Sequence, residues 1–305
     1  MVQIDDSLKK DLSQLITNFK DSLPVYKVTN LSSTAQVEKA IQLASKFLNH
    51  YCASLPDTVI SRKSENTTTI DLPERTKIRI FNNSSAMIIR RNIGPLDNIF
   101  SYEVDMGQMT GRAKEVMERL EFDKWCSEIE QIEFEHLWKI KASAITVREK
   151  VKIPEVLCSV VGAFRRYINK VPVYGRASVF VKLAANDVVQ SAGIDWRIIE
   201  KEPIDKIKII DPEDAAEAIL RNIGVTLPNK IITSKMLKPE FFGLGYFSLP
   251  RTRYQRFIQP AYVATFKSTG ITSANPGVVI SASHDTYENL DRIPAPPVSI
   301  ETIRK

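Results

Sequence analysis

The sequence predicts an α+β protein in which curved antiparallel sheets are each covered by a helix, arranged as two modules in tandem. Three observations carry that expectation. Short segments with period-two apolar alternation fill the middle and end of the chain. Isolated stretches with 3.6-residue apolar spacing separate them. A helix followed by a run of strands recurs, at intervals too irregular for a solenoid. The division is expected near residues 105–112. It would give an N-terminal helix pair with a small sheet over 1–108 and a larger α+β module over 109–305.

Residues 6–23 place Leu8, Leu12, Leu15, Ile16, Phe19 and Leu23 on one stripe, which predicts a helix ending before Pro24. Ser32, Ser33 and Thr34 are cap candidates for a second helix carrying Val37, Ala40, Ile41, Ala44, Phe47 and Leu48. Strands are expected at Thr67–Ile70, Lys77–Phe81 and Ala86–Arg90, with a turn at Asn82–Ser85. Residues 92–112 read as a connecting loop and 112–121 as a third helix. Further strands are expected near 133–140, 156–168, 177–183 and 188–199. Asp211 and Pro212 suit the cap and first position of another helix running towards Gly224. The remainder predicts strands at about 229–234, 253–267 and 277–283, then a proline-rich tail at Pro294–Pro297.

Composition bounds function only loosely. The chain has 305 residues, 43% of them apolar and 26% charged, with a formal charge of +6. Cations and anions are interspersed, so a mixed solvated surface is expected. No run of 18 apolar residues is present, and no membrane span is expected. The N-terminus lacks an apolar signal region and carries Asp5, Asp6 and Asp11. Together with three widely spaced cysteines (Cys52, Cys126 and Cys158), this suggests a reducing, cytoplasmic location. His50, His136 and His284 are scattered, and neither CxxC nor phosphate-loop spacing occurs, so no metal or nucleotide cofactor is expected.

One segment carries a family resemblance. Phe164-Arg-Arg-Tyr-Ile-Asn-Lys-Val-Pro-Val-Tyr-Gly-Arg-Ala-Ser-Val-Phe-Val-Lys-Leu183, then Asp187-Val-Val189 and Asp195-Trp-Arg197, resembles the PepSY-like modules of bacterial proteins. Arg256–Val263 and Gly277–Ala282 resemble the closing strands of such proteins. Asn186-Asp187 stands where the family's hairpin has a glycine. Over about residues 156–283 the resemblance implies helix-plus-curved-sheet modules that bind or regulate a partner without catalysis.

Four constellations are candidates for chemistry. Alternation puts Glu133 and Glu135 on one face of a strand and His136 on the other, where paired carboxylates can act as acid and base. Asp195, Trp196 and Arg197 could gather with Arg165, Arg166 and Tyr174 at one sheet end to fork a carboxylate, against the plainer reading of an internal Asp–Arg pair with a core tryptophan. Arg251–Arg256 follows the aromatics Phe241, Phe242, Tyr246 and Phe247, but Gly243 and Gly245 read as a loop, and nucleic acid is not expected as a partner. Ser281, His284 and Asp285 lack a nucleophile elbow, leaving His284 as a lone base candidate.

These readings favour a non-catalytic binding or regulatory protein that holds a small molecule or protein partner on a sheet face. Arg165, Tyr174, Asp195, Trp196, Arg197 and Tyr262 are its candidate ligand contacts. The alternative is a metal- and nucleotide-independent isomerase, cyclase or hydrolase with its pocket between sheets, using Glu133, Glu135, His136 or His284. Oligomeric state is left open.

Overall fold

The computed structural model describes residues 2–51, 60–94, 98–101, 103–145, 152–175, 178–225, 231–268 and 277–290. Cys52 and the proline-rich tail lie outside them. The fold is α+β. In chain order the first half contains β1 (Gln3–Ile4), α1 (Asp6–Ser13), β2 (Ser22–Thr29), α2 (Ser33–Tyr51), β3 (Ile60–Lys63), β4 (Thr67–Leu72), β5 (Thr76–Phe81), β6 (Ala86–Arg91) and α3 (Met106–Arg119). A single 3-10 turn at Phe122–Trp125 leads to β7 (Glu130–Ile145), β8 (Lys152–Ile168), β9 (Val171–Tyr174), β10 (Val179–Leu183), β11 (Val189–Ile194), β12 (Ile198–Ile199) and β13 (Asp205–Lys208). The last part holds α4 (Pro212–Val225), β14 (Ile231–Ile232), β15 (Leu237–Phe247), β16 (Phe257–Ile258), β17 (Pro260–Ser268) and β18 (Gly277–Ser281).

A 12-stranded sheet runs in the order β18-β17-β15-β9-β8-β10-β11-β6-β5-β4-β3, with β7 also on β8. Nearly every pair in it is antiparallel; β9 and β15 run parallel. Residues on both sides of position 108 share this sheet, because β6 pairs with β11. Two cores form beneath one face. α2 and α3 cover Ile78, Ile80, Val160, Phe164, Val181 and Ile194 in the first lobe. α1 and α4 cover Ile168, Phe242, Leu244, Tyr262 and Phe266 in the second. Phe164 and Ile168 have the same parity on β8, so all four helices lie on the same side.

Several elements differ from the sequence reading. α1 ends at Ser13, with Leu15 and Phe19 about 40% exposed. The next segment is held by Asn18, whose side-chain amide donates to the Leu244 carbonyl at 2.8 Å. Leu23 then enters β2 opposite Ile207, so the apolar spacing of 6–23 joins two elements. α3 starts at Met106 inside the expected loop, because the Asp105 carboxylate accepts from Gly107 N at 2.7 Å and Gln108 N at 3.3 Å. The expected strand 188–199 breaks after Ile194. The expected loop at 241–247 is the interior of β15: Gly243 and Gly245 lie beneath the Tyr174 ring, where an added Cβ would fall 2.5 Å from the hydroxyl oxygen and 2.6 Å from a ring carbon.

Phe164 ties β8 to α3 and meets Phe134 edge-on at 5.6 Å. Its replacement by alanine, Phe164→Ala, is expected to cost about 3–5 kcal/mol of unfolding free energy. A urea midpoint equal to that of the parent chain would refute this.

Candidate functional site

On β7 the strict alternation of the sequence reading does not hold. Glu133 pairs with Arg165 and His136 with Ala163, and the register shifts between Phe134 and His136. Glu135 is thus the extra residue of a β-bulge, and Glu133 and His136 share the helix-free face. Bulges leave no mark in apolar periodicity. The Arg165 Nε donates to Glu135 at 2.9 Å and its Nη1 to the Val173 carbonyl at 3.0 Å, while the guanidinium lies 5.2 Å from the Tyr174 ring centre. Burial pushes the Tyr174 hydroxyl up to about 12, and burial also holds His136 below its usual range. Glu135, His136, Arg165 and Tyr174 are therefore brought together. Arg165 engages the carboxylate that a base would need free.

Asp195, Trp196 and Arg197 take a different role. Trp196 is fully buried in the first-lobe core. The Arg166 guanidinium sits 4.2 Å from its ring centre and pairs with buried Glu130. Arg166 and Arg165 face opposite sides of the sheet, so the two arginines do not form one fork. Asp195 meets Arg251 at 3.3 Å. Arg197 donates to Ser248 Oγ at 2.7 Å and to the carbonyls of Leu249, Pro250 and Arg253 at 2.9, 3.2 and 2.9 Å. Burial brings its guanidinium down to about 10, still charged at neutral pH. Tyr262 is buried, stacks on Phe242 at 5.2 Å and donates to the Ile210 carbonyl at 2.8 Å. His284 is exposed. Arg251–Arg256 forms a turn whose Arg251 lies 5.1 Å from the Phe81 ring centre.

A second group, not singled out by the sequence reading, occupies the helix-free face of the first lobe. Cross-strand partners align as Lys77, Arg90, Ser191, Lys182, Val161 and Trp138 in one row. The neighbouring row is Arg79, Ile88, Gly193, Phe180, Ala163 and His136. Lys77 is held by Asp71 at 3.0 Å. Among the described residues Arg79, Arg90 and Lys182 make no ion pair. Burial and the nearby Arg90 lower Lys182 from its usual range. The available signal was the outward parity of Lys77 and Arg79 in Thr76–Phe81. Nothing local shows that Arg90 and Lys182, far along the chain, share their face.

No family model matches this chain, and no curated protein matches it. Among solved structures, an uncharacterized protein from Eubacterium rectale superposes with a TM-score of 0.51 at 12% identity, covering 88% of this chain and 87% of that one. The likeness is one of fold.

Two outcomes follow. Arg197→Ala strips one hydroxyl and three carbonyls of a charged donor and is expected to cost about 3 kcal/mol or more. Arg197→Lys should recover only part of this, since an ammonium cannot reproduce the fork; full recovery in urea titration would contradict the assignment. For His136 the folded pKa lies below the unfolded value of 6.5, so the unfolded chain binds the proton first. Its contribution is complete above about pH 6.5 and falls as the pH drops through that window. An NMR titration midpoint at or above 6.5, or an identical acid-side stability curve for His136→Gln, would refute this.

Proposed function

We propose that the chain is a non-catalytic binding or regulatory protein that holds an anionic partner on the helix-free face of its large sheet. The observation that carries this reading is the group Arg79, Arg90 and Lys182, drawn from three strands onto one face with the partly buried Phe180 and Ile88. Cations clustered on one face raise the local positive potential and concentrate anions there. The Glu135–Arg165 pairing favours binding over proton transfer at the rival constellation.

The test is a thermal-shift panel of small polyphosphates, polycarboxylates, acidic peptides and oligonucleotides. At 100 times its dissociation constant a true ligand adds about 2.7 kcal/mol of stability, or roughly 5 °C for a chain of this size. The shift should vanish in the double variant Arg79→Gln/Arg90→Gln. A panel in which no anion acts, or in which every shift survives the double variant, sinks the reading.

A further inference from the structure

The same face narrows the chemistry of its partner, an inference that rests on the binding reading above. β6, β10 and β11 are interior strands, each paired along both edges: β6 with β5 and β11, β11 with β6 and β10, and β10 with β11 and β8. An acidic peptide therefore cannot dock here by adding a strand. Recognition has to come from side chains standing off the sheet.

Those side chains are of two kinds. Arg79, Arg90 and Lys182 supply cations. Neighbouring strands lie about 4.8 Å apart, which puts Arg90 and Lys182 about 10 Å apart across β11. Phe180 supplies a ring. A Cβ on its partner Gly193 would fall 2.4 and 2.8 Å from two ring carbons, so the ring lies across the glycine backbone. Only glycine permits this approach. Phe180 is partly buried in that position. Lys182 stands two residues along the same strand, and Ile88 is two strands away beside Gly193. A ring resting on the sheet, with Lys182 two residues along its own strand and Arg90 and Arg79 two and three strands away on the same face, fits a planar base joined to phosphates. It fits a flexible carboxylate chain less well, since that would leave the ring without a partner.

We propose that this face binds single-stranded nucleic acid without sequence preference, with phosphates on Arg79, Arg90 and Lys182 and a base stacked on Phe180.

The experiment measures fluorescence anisotropy of labelled 20-nucleotide oligo-dT and oligo-U on the full chain, with a polyglutamate of similar length as competitor. Three phosphate contacts predict a log–log salt slope of about −2, or roughly a twentyfold loss of affinity between 50 and 200 mM salt. Arg79→Gln/Arg90→Gln, both exposed positions, should bring the slope to shallower than −1. Phe180→Leu should weaken binding about tenfold while leaving the slope unchanged, a separation that a general loss of folding would not give. Lys208→Gln, at an exposed position of β13, should change neither. Oligonucleotide binding that ignores all three face substitutions overturns the proposal. So does polyglutamate binding that outcompetes oligo-dT and is lost in the arginine double variant; that result leaves the sheet-face binding reading standing. If no anion binds at all, both fall.

Discussion

Strand β8 is the constraint on which the architecture depends. One edge of its 17 residues pairs with β7. The other edge is shared, Val160–Phe164 taking β10 and Tyr167–Ile168 taking β9. Through β10 it reaches the first lobe, and through β9 and the parallel step to β15 it reaches the second. Its alternation therefore sets which side of the sheet faces the helices in both lobes. A one-residue slip would turn Phe164 and Ile168 out and Arg165 in. The buried Arg166–Glu130 pair works against that slip, since unpairing either charge in the core is costly.

Much of this fold was legible, and the failures have physical causes. The strands of the Thr67–Arg91 meander were readable because each has one buried and one solvated face, and the helices at Ser33 and Pro212 because their caps sit where the backbone needs them. β15 was hidden because glycine usually marks a loop. Here it marks room for Tyr174, supplied from about 70 residues earlier in the chain, which no local window contains. α1 was overextended because Leu15, Phe19 and Leu23 keep helical spacing by chance while tertiary contacts claim only some of them.

The candidate residues divide along the same line. The plain reading of Asp195, Trp196 and Arg197 as interior groups matches their burial. Their charges serve the chain itself: Arg197 gathers the carbonyls of the turn after β15, and Arg251 of that turn returns to Asp195 and Phe81. The face cations were missed for the opposite reason. Lys77, Arg79, Arg90 and Lys182 look like ordinary outward charges one at a time, and only strand order turns them into a group. Mixed charge along a sequence does not imply mixed charge on a surface.

The buried and exposed arginines can be connected. The turn at Leu249–Arg256 is fixed by Arg197 from within and by Gln255, which accepts from Leu249 N at 3.0 Å and donates to the Phe247 and Phe257 carbonyls at 2.9 and 2.8 Å. Asn83 of the β5–β6 turn donates to the Thr252 carbonyl at 3.0 Å. The turn is thus clamped over the Phe81 end of β5, on the same face as Arg79 and two residues from it. It closes that end of the face. The cross-strand rows run from there past Arg79 and Ile88 towards Phe180, and past Lys77 and Arg90 towards Trp138. The interior guanidiniums thus fix one boundary of the face, so if the face binds as proposed, a variant that loosens the turn should weaken that binding through position, without touching a cation on it.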